Sequence, residues 1–220
     1  MNKFVFFFDV DNTLLDNDRV TAALREFLND EVGEQRTSTY WQIFEELRRE
    51  LGYADYLGAL QRYRSQFPYD SHLLSLSNFL INYPFANRLF PNSLDVIDRF
   101  KKLGPVVILT DGDAVFQPRK IERSGLGEAV ENNVLIYIHK EHELHDIERR
   151  YPAEHYFLFD DKLRILTAIK KQWQSRVTTV FVRQGHYAAD TAEIAQYPNA
   201  DISIDRIGDA LSIAIERKEN

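Results

Sequence analysis

Five residues, Phe4-Val5-Phe6-Phe7-Phe8, run without a polar break and lead straight into Asp9-Val10-Asp11-Asn12-Thr13-Leu14-Leu15. Successive strand residues point to opposite faces of a sheet, so an unbroken aromatic and β-branched run fits a strand covered on both faces. Such a strand lies inside a parallel sheet and ends where the chain turns toward solvent. Asp9 and Asp11 therefore stand at its C-terminal edge. Ligands of open α/β sheets bind at that edge. Two acids spaced to turn inward there point to a nucleophile, a metal site, or both.

The next stretch has no strand pattern. From Asp16 to about Tyr83 the apolar spacing is helical: Val20, Leu24, Phe27 and Leu28, then Tyr40, Ile43, Phe44, Leu47 and Leu51, then Leu57 and Leu60, then Leu73, Leu76 and Leu80. Breaks at Gly33, Gly52 and Pro68 divide it into roughly four helices. Beyond Pro84 and Pro91, helices alternate with short apolar runs. Strands are expected at Val106–Leu109, Val134–Ile138, Tyr156–Phe159, Val177–Val182 and Ile202–Ile204. Helices are expected at Glu141–Arg150, Lys162–Trp173 and Ile207–Arg217. This alternation implies an α/β fold with a doubly wound parallel sheet covered on both faces. Residues 1–15 and 85–220 are expected to form that core, and residues 16–84 an inserted α-helical cap.

Composition narrows the partners. With 34 acidic residues against 27 Lys and Arg, the net charge of −7 argues against binding a nucleic-acid backbone. A small anionic substrate is compatible with it, because a metal or a few local cations outweigh the global field. The absence of cysteine removes disulfides, thiol nucleophiles and thiolate zinc sites. The N-terminal apolar run is shorter than the roughly 7 to 15 residues of a signal-peptide core. No segment is long enough to span a membrane, and a cytoplasmic protein is expected.

Three further segments end a strand in polar residues: Val107-Ile108-Leu109-Thr110-Asp111-Gly112-Asp113, Tyr137-Ile138-His139-Lys140 and Phe157-Leu158-Phe159-Asp160-Asp161-Lys162. If these strands run parallel to the first, acids, a hydroxyl and a lysine gather at one sheet edge. With the first segment, they match in order the four motifs of the haloacid dehalogenase superfamily. The chain resembles its phosphatase branch with an inserted helical cap.

That resemblance implies a division of labour. Asp9 is the nucleophile that forms an aspartyl-phosphate, and Asp11 is the acid for the leaving oxygen and then the base for water. Mg²⁺ is the implied cofactor, held by the Asp9 side chain, the Asp11 backbone carbonyl, and Asp160 or Asp161. Thr110 binds a phosphoryl oxygen, backbone amides around Asp111 and Gly112 cradle another, and Lys140 neutralises both nucleophile and phosphoryl group. Lys140 is preferred over Lys120 for that task because it directly follows a strand and precedes Asp160 by a family-like interval. The implied reaction is hydrolysis of a small phosphorylated metabolite.

Rival readings are testable against the same residues. A phosphomutase shares all four motifs. A phosphoacceptor or binding module without turnover also combines acids, Thr and Lys around Mg²⁺, but with the acid pair and acceptor in another order. An EF-hand loop starting at Asp9 fails, since its sixth and twelfth positions are Leu14 and Val20. True dehalogenases of the superfamily usually lack an acid two residues after the nucleophile. His139, His142 and His145 read as a polar helix face, and Arg183-Gln184-Gly185-His186 is expected to lie too far from Asp9 to act. Arg36, Tyr40, Trp41, Arg48 and Arg62 of the cap are expected mostly in bundle core and at the surface, with some lining a substrate pocket.

Overall fold

A computed structural model describes residues 1–215. Its centre is β1 (Asn2–Phe8), flanked in one parallel sheet by β2 (Val106–Asp111) and β4 (Ala153–Asp160). With β3 (Val134–Tyr137), β5 (Val177–Val182) and β6 (Ile202–Ile204), the order is β3-β2-β1-β4-β5-β6. This is the α/β, Rossmann-like sheet expected from the alternation.

The apolar run behaves as its composition requires. Phe6 and Phe8 pack on one face with Phe100, Phe157 and Phe159, while Val5 and Phe7 pack on the other with Tyr156, Leu158 and Trp173. Phe8 and Phe159 stack with centroids 4.2 Å apart. Burying each such side chain contributes roughly 1.5–3 kcal/mol, which anchors β1 on both sides.

Topology then fixes where function can sit. The chain goes from β1 to β2 and β3 on one side, then crosses to β4 on the other, so β1 lies at the point where the winding reverses. A crevice opens there beyond the carboxyl ends of the strands. Phe8 is level with Ile108 of β2 and Phe159 of β4, so Asp9, Leu109-Thr110 and Asp160 emerge side by side.

After β1 the chain makes one tight turn, with the Val10 carbonyl accepting from the amides of Leu14 at 3.0 Å and Leu15 at 2.9 Å. It then passes into α1 (Asn17–Val32), α2 (Glu34–Leu51), α3 (Tyr56–Gln66) and α4 (Leu73–Asn82). The Asp16 side chain caps α1 by accepting from Arg19 N at 3.0 Å, and Gly52 ends α2 at φ +80°. The departing and returning chains pair where they cross: Asp16 N donates to Arg88 O at 2.8 Å, and Phe90 N to Leu14 O at 3.0 Å. The helices thus hang from the sheet edge on two adjacent connections. No helix among the described residues is long and apolar enough to cross a membrane.

Two helix expectations change. In place of a helix over Glu141–Arg150, a 3-10 turn at Lys140–His142 precedes α8 (Leu144–Arg150). The chain is pinned at this point, because Lys140 N donates to Asp111 Oδ1 at 2.7 Å and buried Glu141 pairs with Arg164 at 2.5 Å. In place of a helix over Ile207–Arg217, a 3-10 helix covers Ile207–Ser212. It buries Ile207 and Ala210, a three-residue interval that suits 3-10 geometry. Residues 216 and 217 of that expectation lie outside the described residues.

Candidate active site

The buried acids form the heart of the site. Asp9, Asp160 and Asp161 each offer a carboxylate oxygen within 4.8 Å of the others, and all three residues are buried. Two carboxylates about 5 Å apart repel by roughly 3 kcal/mol at an effective dielectric of 20, so this arrangement demands positive charge. Lys140 supplies part of it. Its ammonium lies 2.6 Å from Asp9 Oδ1 and 2.7 Å from Asp160 Oδ2, and donates to Leu109 O at 3.1 Å. Burial pushes the Lys140 pKa down, but Asp160, Asp9 and Asp111 outweigh it and hold the group firmly protonated.

One lysine does not satisfy the cluster. Asp9 Oδ2 and both Asp161 oxygens are buried with no hydrogen-bond partner among the described residues. Burial lifts Asp160 to about 6 despite the nearby lysines, and it lifts Asp161 well above the ordinary carboxylate range. Unpartnered carboxylate oxygens converging from neighbouring strand ends fit a hard, oxygen-preferring divalent cation. The expected Mg²⁺ therefore suits the donor set. The Asp11 carboxylate is not part of this cluster.

Asp11 has its own partners. Lys120 donates to its Oδ1 at 2.6 Å, and Gln117 Nε2 approaches its Oδ2 at 3.4 Å. Both come from α6 (Phe116–Ser124), one turn apart on the face buried against the core. The preferred lysine, Lys140, meets Asp9, and its competitor Lys120 meets Asp11. The two lysines are complementary.

Thr110 is buried beside them, accepting from Gln117 Nε2 at 3.0 Å and donating to Asp111 O at 3.3 Å. The expected amide cradle is corrected in part. Gly112 N donates to Tyr137 O at 3.0 Å as the sheet edge closes, so that amide is already committed. The glycine is needed for space instead: a Cβ there would sit 2.7 Å from Gln117 Cβ. Asp111 contributes its side chain, which fixes the Lys140 amide.

Gln117 was missed from sequence, and Lys120 was weighed only as a substitute for Lys140. The available signal was a pair of long polar residues on the same helix face as Phe116 and Ile121. Such residues need buried partners. Among the three histidines, the rings of His139 and His142 lie 5.5 Å apart between centroids. His139 packs its ring over Gly52 of the cap, where a Cβ would come within 2.5 Å of it.

A cleft of about 690 Å³ is lined by residues of α1, α2 and α6 together with Asp11, Asp111 and Lys162 at the sheet edge. Trp41 and Arg48 of the cap line it, whereas Tyr40 is core, Arg36 pairs with Asp70 and Arg62 with Glu50. From the segment after β5, His186 lines the cleft, donating its amide to Asp18 Oδ2 at 2.8 Å with Nδ1 2.6 Å from Asp18 Oδ1.

A family model covers the strand ends that carry Asp9, Thr110 and Lys140. Residues 5–146 fit the haloacid dehalogenase-like hydrolase family. The chain belongs to that family. A crystal structure of a protein described as a haloacid dehalogenase-like hydrolase from Burkholderia xenovorans LB400 is 57% identical, with a TM-score of 0.94 over 98% of this chain and 100% of that one. The HAD-hydrolase YfnB from Bacillus subtilis, bound to magnesium, shares the fold at 16% identity and a TM-score of 0.61, over 96% of this chain and 98% of its own. An L-2-haloacid dehalogenase from Xanthobacter autotrophicus with chloropropionic acid covalently bound does so at 18% and 0.60, over 95% and 96%. No protein with a curated description matches the chain. As a haloacid dehalogenase-like hydrolase, this protein is an enzyme.

Proposed function

We propose that this haloacid dehalogenase-like hydrolase is a Mg²⁺-dependent phosphoric-monoester hydrolase acting on a small phosphorylated metabolite through an aspartyl-phosphate on Asp9. The carrying observation is Asp11, whose carboxylate stands apart from the buried acid cluster and is held by Lys120 and Gln117. Halide leaves carbon as a stable anion and needs no proton. An alkoxide leaving phosphorus does need one, so a separately held acid has work in phosphate transfer.

In this reading an Asp9 oxygen forms a bond to phosphorus as the ester oxygen departs with a proton from Asp11. Water then attacks the phosphoryl group, Asp11 takes its proton, and the Asp9–phosphorus bond breaks to release phosphate. Lys140 pairs with Asp9 and accompanies the charge, and Thr110 turns its hydroxyl to a phosphoryl oxygen. Asp9, Asp160, Asp161 and the Asp11 carbonyl would hold Mg²⁺, which supplies charge neutralisation at the phosphoryl oxygens.

The magnesium-bound YfnB and the covalently substituted dehalogenase share this fold, so both chemistries belong in one test. Phosphate release from an aryl phosphate and chloride release from 2-chloropropionate are measured with and without Mg²⁺, for wild type and Asp9→Asn. Mg²⁺-dependent phosphate release that Asp9→Asn abolishes is expected. Chloride release without phosphate release would replace the reading by dehalogenation.

A further inference from the structure

Tyr187, on α10 (Gly185–Ala189), carries a cation on its ring from each side of the cleft. Lys162, directly after the metal-cluster acid Asp161, lies 4.7 Å from the ring centroid, and Arg48 of cap helix α2 lies 5.7 Å from it. All three residues line the cleft. The Lys162 ammonium makes no ion pair among the described residues, and Arg48 meets only Glu45, at 3.8 Å. A guanidinium has five donors, so a single contact at the edge of ion-pair range leaves most of them open.

The ring that gathers these cations is itself fixed. Gly185, at φ +73°, lies so close to Asn12 that a Cβ would sit 2.4 Å from Asn12 Cγ, and His186 is bonded to Asp18. Asp18 is thereby occupied by the histidine, and Lys120 occupies Asp11. A second observation lies on the cap wall two turns from Arg48 on the same helix. Trp41 is only 7% exposed and lines the cleft, yet its indole N–H has no acceptor among the described residues. Arg25 stacks on that indole at 4.4 Å. Open donors and cations therefore face the cleft from the cap and from the core.

Resting on the phosphatase reading, we infer that Arg48 and Lys162, aligned on Tyr187, form a subsite for a second anionic group. The substrate is then a small phosphomonoester bearing a carboxylate or a further phosphate away from the bond that breaks. Lys162 follows the metal-cluster acids by one residue, so the second anion lies within a few bonds of the phosphoryl group. Bridging Arg48 to Lys162, such a substrate also draws the cap to the sheet.

Matched pairs test this by differing only in the second charge: 3-phosphoglycerate against glycerol 3-phosphate for a carboxylate, and ribose 1,5-bisphosphate against ribose 5-phosphate for a phosphate. The doubly anionic member of one pair is expected to have a kcat/KM higher by about tenfold or more, expressed mainly in KM. That ratio should collapse toward one in Arg48→Gln and in Lys162→Met. Arg48→Glu should turn the preference toward phosphoethanolamine. A wild-type ratio near one in both pairs, or a ratio unchanged in Arg48→Gln, overturns the subsite while leaving the phosphatase reading intact. Failure to hydrolyse any phosphomonoester, the aryl phosphate included, overturns the phosphatase reading itself.

Discussion

Lys120 Nζ lies 2.6 Å from Asp11 Oδ1 and 3.0 Å from Asn17 Oδ1, so one buried ammonium joins the Asp11 carboxylate to the first residue of α1. Asp11 is held in place by a helix that follows β2, not by the strand that carries it. Lys140 performs the parallel task for Asp9 from beyond β3.

Replacing that ammonium should misplace Asp11. Lys120→Met is expected to lower kcat by roughly 10- to 100-fold, the scale of a displacement of about 1 Å in a reacting group. Alkyl phosphates, whose leaving oxygen needs a proton, should suffer more than aryl phosphates with acidic phenols. Steady-state kinetics on both substrate types measures this, and equal losses would show that Lys120 does not act through Asp11.

Lys140→Met leaves a buried acid cluster without its internal cation. Removing one partner of a buried pair costs about 3–5 kcal/mol, so the metal-free variant should unfold at markedly lower urea than wild type. Mg²⁺ should narrow the gap, because a ligand of the folded state stabilises it by about 2.7 kcal/mol at 100 times its Kd. Urea titrations with and without Mg²⁺ provide the comparison, and an equal gap in both would place the metal elsewhere.

The cap carries a pH-dependent anchor. Burial works to raise the Asp70 pKa, yet hydrogen bonds from Tyr63 and His72 and the charge of Arg36 hold it at about 2, below the ordinary 3.8. A depressed acid stabilises the fold above its unfolded value and loses that stabilisation as pH falls through its folded value. Asp70→Asn should therefore have a lower Tm than wild type at neutral pH. The difference should shrink from about pH 4 downward and be nearly gone near pH 2. Thermal melts across that range test the sign.

Gly185 permits the contact between α10 and the turn after β1. At φ +73° and with Asn12 Cγ 2.4 Å from where a Cβ would stand, Gly185→Ala is strained in conformation and in space. A loss of roughly 1–3 kcal/mol is expected. Hydrogen exchange should show faster opening near His186 and Tyr187, and a melt identical to wild type would refute the close approach.

Much of the site was legible because strand ends are legible. An unbroken run such as Phe4–Phe8 fits an inner strand, and acids directly after such a strand stand at the sheet edge where ligands bind. The same logic found Thr110, Lys140 and the pair Asp160-Asp161. It misjudged the Gly112 amide, because whether an amide is free depends on how far the β2–β3 pairing runs, and Tyr137 O takes it.

The sequence by itself determined the order of strands and helices, the inner strand, and the acids at its end, since periodicity and side-chain polarity are local properties of a chain. Only the tertiary structure decided the pairings: Lys140 with Asp9 and Asp160, Lys120 and Gln117 with Asp11, and Tyr187 between Lys162 and Arg48. Those contacts join residues from 20 to 139 positions apart, the extremes being Lys140 with Asp160 and Arg48 with Tyr187. They depend on how helices and loops dock around a shared sheet edge, and that docking is set by packing of the whole core, which no local pattern encodes.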